Sequence, residues 1–89
     1  MKVEFKKSFA KDLKKKSDDR KLLDKVKQII EYVDHADDIS QISNLKKLKA
    51  QDDFYRIRSG EYRIGLIIEG DTVIFVRLLH RSEIYRYFP

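Results

Sequence analysis

The sequence predicts an α+β domain, in which two helices pack on one face of a twisted, mostly antiparallel sheet. Two observations predict it. Apolar residues recur at helical spacing between residues 5 and 33. The last third of the chain is instead rich in β-branched and aromatic residues, interrupted by Gly60 and Gly70. The predicted order is β-α-α-β-β-β, and one domain is expected to span residues 1–89.

The N-terminal part of the chain predicts a short strand and a helical hairpin. Residues 2–5 alternate polar and apolar side chains, and Phe5, Phe9 and Leu13 then recur every four residues, as on one face of a helix. Ser17 is predicted to cap a second helix. The apolar stripe of that helix consists of Leu22, Val26, Ile29, Ile30 and Val33.

The C-terminal part of the chain predicts an antiparallel meander. Its strands are expected at residues 54–59, 62–69 and 72–80. Short turns at Gly60 and at Gly70-Asp71 join them, and connections of this length favour antiparallel neighbours. Residues 39–53 are expected to form a partly ordered connection whose apolar side chains cover the sheet edge.

Side-chain alternation predicts that one face of this sheet is strongly cationic. It assigns Ile64, Leu66 and Ile68 of the second meander strand to the helix side, and Ile74, Val76 and Leu78 of the third. The opposite face then collects Arg56, Arg58, Arg63 and Arg77. Gly65 lies among these arginines, and its missing side chain is expected to leave room for a phosphate. Guanidinium groups that converge in this way favour a polyanionic partner.

The distribution of charge supports the same expectation. The net charge is +5, and the two ends of the chain are basic while residues 17–44 are acidic. Further cations at neighbouring chain positions are Lys46, Lys47, Lys49 and Arg81, and aromatic residues follow at Tyr85, Tyr87 and Phe88. Basic groups interleaved with aromatic rings are typical of surfaces that bind single-stranded nucleic acid.

Several kinds of chemistry are excluded or disfavoured by composition. The chain has no cysteine and two histidines, and its carboxylates lack metal-ligand spacing, so neither a metal nor another cofactor is predicted. It has no apolar run of transmembrane length and no secretory leader pattern, which predicts a cytoplasmic protein. Metal-free cleavage of RNA remains possible, because RNA carries its own nucleophile. Arginines would stabilise the developing charge, and His80 or Tyr85 could move protons.

Three stretches of the chain carry a resemblance to a known family. They are Leu45-Lys46-Lys47-Leu48-Lys49, the hairpin from Tyr55 to Ile64 with the pattern YRIRSGEYRI, and the ending His80-Arg81-Ser82-Glu83-Ile84-Tyr85. Together with the length and the element order, they resemble the RelE/ParE toxin superfamily of toxin–antitoxin systems. The resemblance implies a RelE-like fold and, for the RelE branch, cleavage of mRNA in the A site of the 30S ribosomal subunit, beside the 16S rRNA, by 2′-hydroxyl attack.

The resemblance also implies roles for individual residues. Arg63 matches the central phosphate-binding arginine, Arg81 an arginine used for charge stabilisation or proton donation, and Tyr85 a tyrosine that stacks on a base. Arg56 and Arg58 stand where the best-known member has lysines, one of them proposed as the general base. Arginine hardly releases its proton. The base is therefore left open between His80 and a lysine of residues 46–49.

Two other functions stay open beside the endoribonuclease. The ParE branch shares the fold and inhibits DNA gyrase, and a non-catalytic toxin would bind only its antitoxin or RNA. All three imply a cognate antitoxin. An acidic, amphipathic segment is expected, because it would neutralise the cationic face and cover the apolar residues beside it, such as Phe54 and Ile67. No membrane partner is expected.

Overall fold

The computed structural model describes residues 1–48 and 53–89 as a five-stranded mixed sheet with three helices. The strands are β1 (Lys2–Phe5), β2 (Leu45–Lys47), β3 (Phe54–Ser59), β4 (Tyr62–Glu69) and β5 (Thr72–His80). The helices are α1 (Lys7–Lys15), α2 (Arg20–His35) and the short α3 (Ile84–Tyr87), and a single 3₁₀ turn spans Ile39–Gln41. The predicted α+β class and the bounds of four strands are confirmed.

The strands lie in the order β1-β5-β4-β3-β2. Three neighbouring pairs are antiparallel, and β1 runs parallel to β5. The expectation that residues 39–53 form a partly ordered connection missed a strand, because β2 extends the sheet by pairing Leu45 with Ile57. A strand of three residues is too short for the alternation of its side chains to distinguish it from a loop in the sequence.

Both helices pack on the same face of the sheet, as predicted. Phe9 of α1 shares one apolar core with Val26 and Val33 of α2 and with the inward residues of the strands. The second helix begins later than predicted, because Asp19 rather than Ser17 is its cap: the Asp19 carboxylate accepts a hydrogen bond from the Leu22 backbone N–H.

A bulge in β5 corrects the predicted alternation of that strand. Leu66 of β4 pairs with Phe75, whereas the preceding Gly65 pairs with Arg77, so Val76 is an extra residue. The extra residue exchanges the two faces of β5 at this point, which a strict period of two does not predict. The β5 residues that enter the core are Val73, Phe75 and Leu78.

The first helix closes the edge of β5 that β1 leaves uncovered. β1 pairs with β5 as far as Phe75. Beyond it, the Ser8 hydroxyl donates to the Val76 carbonyl (2.6 Å), and the Asp12 carboxylate accepts from the Leu78 N–H (2.9 Å). Side chains of α1 therefore continue the hydrogen bonding of the missing strand, and this fixes the end of β5 that leads into Arg81.

No helix in the described ranges is both long and apolar enough to cross a membrane.

Candidate nucleic-acid interface

Strand register brings all four of the predicted arginines onto the face opposite α1 and α2, Arg77 by pairing with Gly65. Arg58 of β3 pairs directly with Arg63 of β4, and Arg56 pairs with Gly65. Paired residues of neighbouring strands share a face of the sheet. On the far side of β3, Lys46 pairs with Arg56 and so joins the same face.

The Arg63 guanidinium is held beside the turn between β3 and β4. Its Nη1 donates to the Gly60 carbonyl (2.8 Å) and to the Tyr62 carbonyl (2.9 Å). Partial burial lowers the pKa of this guanidinium from its usual value, and the positive charges of neighbouring arginines lower that pKa further. Those neighbours are Arg56, Arg58 and Arg81. We call these three residues and Arg63 the arginine cluster.

Arg81 reaches the cluster from just beyond the end of β5. Its backbone N–H donates to the Glu61 carbonyl (2.8 Å), and its side-chain Nε lies 3.0 Å from Glu61 Oε2. Arg58, Arg63 and Arg81 line one open groove of about 610 Å³, together with the turn and residues of α2. The groove is wide and cationic, as binding of an extended polyanion requires.

Arg77 lies on the predicted face of the sheet, but its guanidinium is paired with Asp12 and does not belong to the arginine cluster. Arg77 Nε donates to Asp12 Oδ2 (2.8 Å), and Arg77 Nη2 donates to Asp12 Oδ1 (3.3 Å). This hydrogen bonding raises the pKa of the Arg77 guanidinium. Residue spacing hides the pair, because Asp12 lies 65 positions earlier in the chain.

The space above Gly65 is filled, which corrects the expectation of a phosphate-sized gap there. A Cβ atom at Gly65 would lie 2.8 Å from ring carbons of Phe88. The Phe88 ring is buried and makes an edge-to-face contact with Phe54, with 5.5 Å between centroids. Glycine therefore admits an aromatic ring at this position, and the groove for an anion lies closer to the β3–β4 turn.

The C-terminal helix places one aromatic side chain beside the cationic face. Tyr85 of α3 is 63% exposed. With Lys46, Leu48 and Phe88 it lines a cleft of about 320 Å³. Because Lys46 pairs with Arg56, this cleft adjoins the cationic face of β3.

Three other predicted residues lie apart from this cleft or cannot be placed. Lys47 pairs with Tyr55, so it lies on the opposite face of the sheet from Lys46, and its Nζ is 5.7 Å from the Tyr55 ring centroid. Lys49 falls outside the described residues. His80 pairs with Tyr62, and the two rings meet edge to face at 5.6 Å on the helix side of the sheet.

A family model gives the family of this chain. The model for the ParE toxin of type II toxin–antitoxin systems, parDE, matches residues 3–85. The chain belongs to this toxin family. Full-length similarity agrees: the toxin is 44% identical over 90 residues to Toxin RelE3 of Methanocaldococcus jannaschii, covering 100% of both chains. It is 32% identical over 82 residues to Putative toxin RelE1 of the same organism, covering 91% of this chain and 89% of that one.

Solved structures of similar chains agree with the fold of the toxin. The toxin matches a chain of the RelB–RelE antitoxin–toxin complex from Methanococcus jannaschii with a TM-score of 0.77 and 41% identity, covering 98% of this chain and 100% of that one. It matches YafQ from E. coli with a TM-score of 0.74, covering 93% and 96% of the two chains. At 13% identity, the second likeness concerns the fold alone.

Glu61 was not among the predicted site residues, although strand register could have indicated it. Because Tyr62 pairs with His80, the next position outward in the same ladder sets Glu61 opposite Arg81. In the two described ranges, no group of three or more His, Asp or Glu side chains is arranged to hold a metal ion.

Proposed function

We propose that the toxin is a ribosome-dependent endoribonuclease, which cuts mRNA in the A site by attack of an RNA 2′-hydroxyl on the adjacent phosphate. The observation that carries this proposal is the arginine cluster, of which Arg58, Arg63 and Arg81 line one open groove. Four guanidinium groups with a single carboxylate partner in the described residues favour a polyanion. The similarity to full-length toxins named RelE supports RNA as that polyanion.

In the proposed reaction, the 2′-oxygen forms a bond to phosphorus while the bond from phosphorus to the 5′-oxygen breaks. The products are a 2′,3′-cyclic phosphate and a free 5′-hydroxyl. Negative charge grows on the non-bridging phosphate oxygens in the transition state. Arg63 and Arg81 would bind those oxygens more tightly as the charge grows, which is how fixed cations accelerate phosphoryl chemistry.

Base stacking and proton transfer are assigned to the remaining polar and aromatic groups. Tyr85, largely exposed beside Lys46, is proposed to stack on a base, and its hydroxyl is one candidate for moving a proton. His80 stays a second candidate, although its ring lies on the helix side of the sheet, around the end of β5. Lys46, Arg56 and Arg58 would bind flanking phosphates. For Lys47, Lys49 and Arg77, the structure adds no support for phosphate binding.

The proposal requires the ribosome because arginine is a poor general base. Correct orientation of the RNA then has to supply much of the increase in cleavage rate. A ribosome can hold the mRNA with its 2′-hydroxyl in line with the scissile bond. We therefore expect the free toxin to cut naked RNA slowly.

A second candidate is inhibition of DNA gyrase, because the matching family model bears the ParE name. One induction experiment separates the two functions. Primer extension on a translated mRNA after induction would show new 5′ ends inside codons for the endoribonuclease. Accumulation of gyrase-cleaved DNA with intact mRNA would select the gyrase inhibitor. Neither product, with the toxin expressed and folded, would favour a non-catalytic binding protein.

A further inference from the structure

Glu61 is the one carboxylate, in residues 1–48 and 53–89, that forms an ion pair with a member of the arginine cluster. It occupies the second position of the two-residue turn between β3 and β4, after Gly60, whose φ is +59°. An acid in the middle of a polyanion site lowers affinity for the polyanion, so its presence calls for a physical reason.

The contacts of Glu61 fix both the chain position and the side chain of Arg81. The Glu61 carbonyl accepts the Arg81 backbone N–H at 2.8 Å, and Glu61 Oε2 lies 3.0 Å from Arg81 Nε. Binding at Nε leaves the edge formed by the two terminal nitrogens to bind a phosphate through two parallel hydrogen bonds. Without Glu61, the Arg81 side chain, 61% exposed, would sample many rotamers.

The same carboxylate oxygen also faces His80. His80 Nδ1 accepts a hydrogen bond from the Ser82 backbone N–H (3.2 Å) and lies 2.8 Å from the Ser82 hydroxyl oxygen, so that Nε2 is the ring nitrogen turned toward Glu61. Nε2 lies 3.7 Å from Glu61 Oε2. Glu61 thus contacts both His80 and Arg81. The carbonyls on either side of it, at Gly60 and Tyr62, accept hydrogen bonds from Arg63.

We propose that Glu61 is a positioning residue, which holds the Arg81 guanidinium at its Nε so that the opposite edge meets the scissile phosphate. This inference rests on the proposed function. It predicts opposite effects on binding and on rate. Removing the negative charge strengthens attraction of RNA to the cluster, while releasing Arg81 slows the chemical step.

The test is Glu61→Gln, which keeps the size of the side chain and removes its charge. Single-turnover cleavage is measured on programmed ribosomes over a range of toxin concentrations. We expect the maximal rate to fall by about 5- to 10-fold, because the Arg81 guanidinium is no longer oriented toward the phosphate. The half-saturating concentration should fall or stay level. A melting temperature close to that of the wild type would show that the fold is intact.

Glu83→Gln is the matched control. It removes the same charge two residues from Arg81, and Glu83 has no ion pair in the described ranges. Its maximal rate should equal that of the wild type. An unchanged maximal rate in Glu61→Gln, or an equal fall in Glu83→Gln, would overturn the proposal.

A second measurement distinguishes this inference from the proposed function. Solvent exchange of the Arg81 Nε proton, followed by NMR, should be several-fold faster in Glu61→Gln and unchanged in Glu83→Gln. Equal exchange in wild type and Glu61→Gln would overturn the inference whatever the activity. If wild-type toxin fails to cut mRNA on ribosomes, the proposed function has failed, and the exchange rates still decide whether Glu61 holds Arg81.

Discussion

Asp12 is a buried charge whose partners explain its position. The residue is 4% exposed, and its carboxylate accepts hydrogen bonds from the Arg77 side chain and the Leu78 backbone N–H. Charged groups are buried at acceptable cost only when paired and hydrogen-bonded. The pair joins α1 to β5 just after the bulge.

Replacement of Asp12 tests the contribution of this pair. Asp12→Ala should lower the free energy of unfolding by about 2–4 kcal/mol, because Leu78 N–H and the Arg77 guanidinium lose their acceptor. Asp18→Ala, at an exposed position between the helices, should change it by less than about 0.5 kcal/mol. Urea unfolding measures both. Equal losses would mean that the Asp12 contacts contribute little.

Arg63 tests the chemistry of the cluster with little expected effect on the fold. Arg63→Ala should slow cleavage on ribosomes by about 10²-fold or more, as loss of an electrostatic stabiliser does. Its two hydrogen bonds go to carbonyls of a turn, so the melting temperature should change little. Arg20→Ala, at an exposed position in α2, is the control for lost charge. Full activity of Arg63→Ala would remove Arg63 from the site.

At the scale of elements, short-range sequence patterns predicted the features that depend only on neighbouring residues in the chain. The bounds of β1, β3, β4 and β5 follow from alternation and from two tight turns. The strand β2 and the bulge at Val76 were missed, because both depend on how neighbouring strands pair. The same reason explains the candidate site: Arg63 and Arg81 could be grouped from sequence, whereas the Asp12 partner of Arg77 could not.

The docking of the C-terminal segment on the sheet gives a prediction for Gly65. Gly65→Ala should lower the free energy of unfolding by about 1–3 kcal/mol, because the new methyl group would overlap the Phe88 ring. In a Phe88→Ala background the same change should cost little. Unfolding of the two single variants and the double variant measures the coupling. Additive losses would show that the ring does not occupy this space in solution.

At the scale of the whole molecule, an excess of positive charge sets the expected behaviour with a partner. The net charge is +5, and the RelB–RelE complex shows a related toxin with its antitoxin. We propose that the toxin is likewise held by a cognate antitoxin with an acidic, amphipathic segment. That segment would neutralise the arginine cluster and cover half-buried apolar residues on the same face, such as Phe54 and Ile67.

The antitoxin proposal predicts both relief of toxicity and a salt-dependent complex. Co-expression with the neighbouring small gene should restore growth and yield a stable complex. Its dissociation constant should rise by about tenfold or more between roughly 0.1 and 0.5 M NaCl, because salt screens the paired charges. Continued toxicity without a complex would refute the proposal, and an affinity independent of salt would show that apolar contacts dominate.

The closure of β5 by α1 has a consequence for self-association. The two longest strands, β4 and β5, are interior strands, and the outer strands β1 and β2 have four and three residues. Exposed lysines stand on both outer strands, at Lys2, Lys46 and Lys47. Because these edge strands are short and charged, they offer few free backbone groups with which a strand of another molecule could pair. A toxin released from its partner should therefore stay dispersed rather than join others into fibrils.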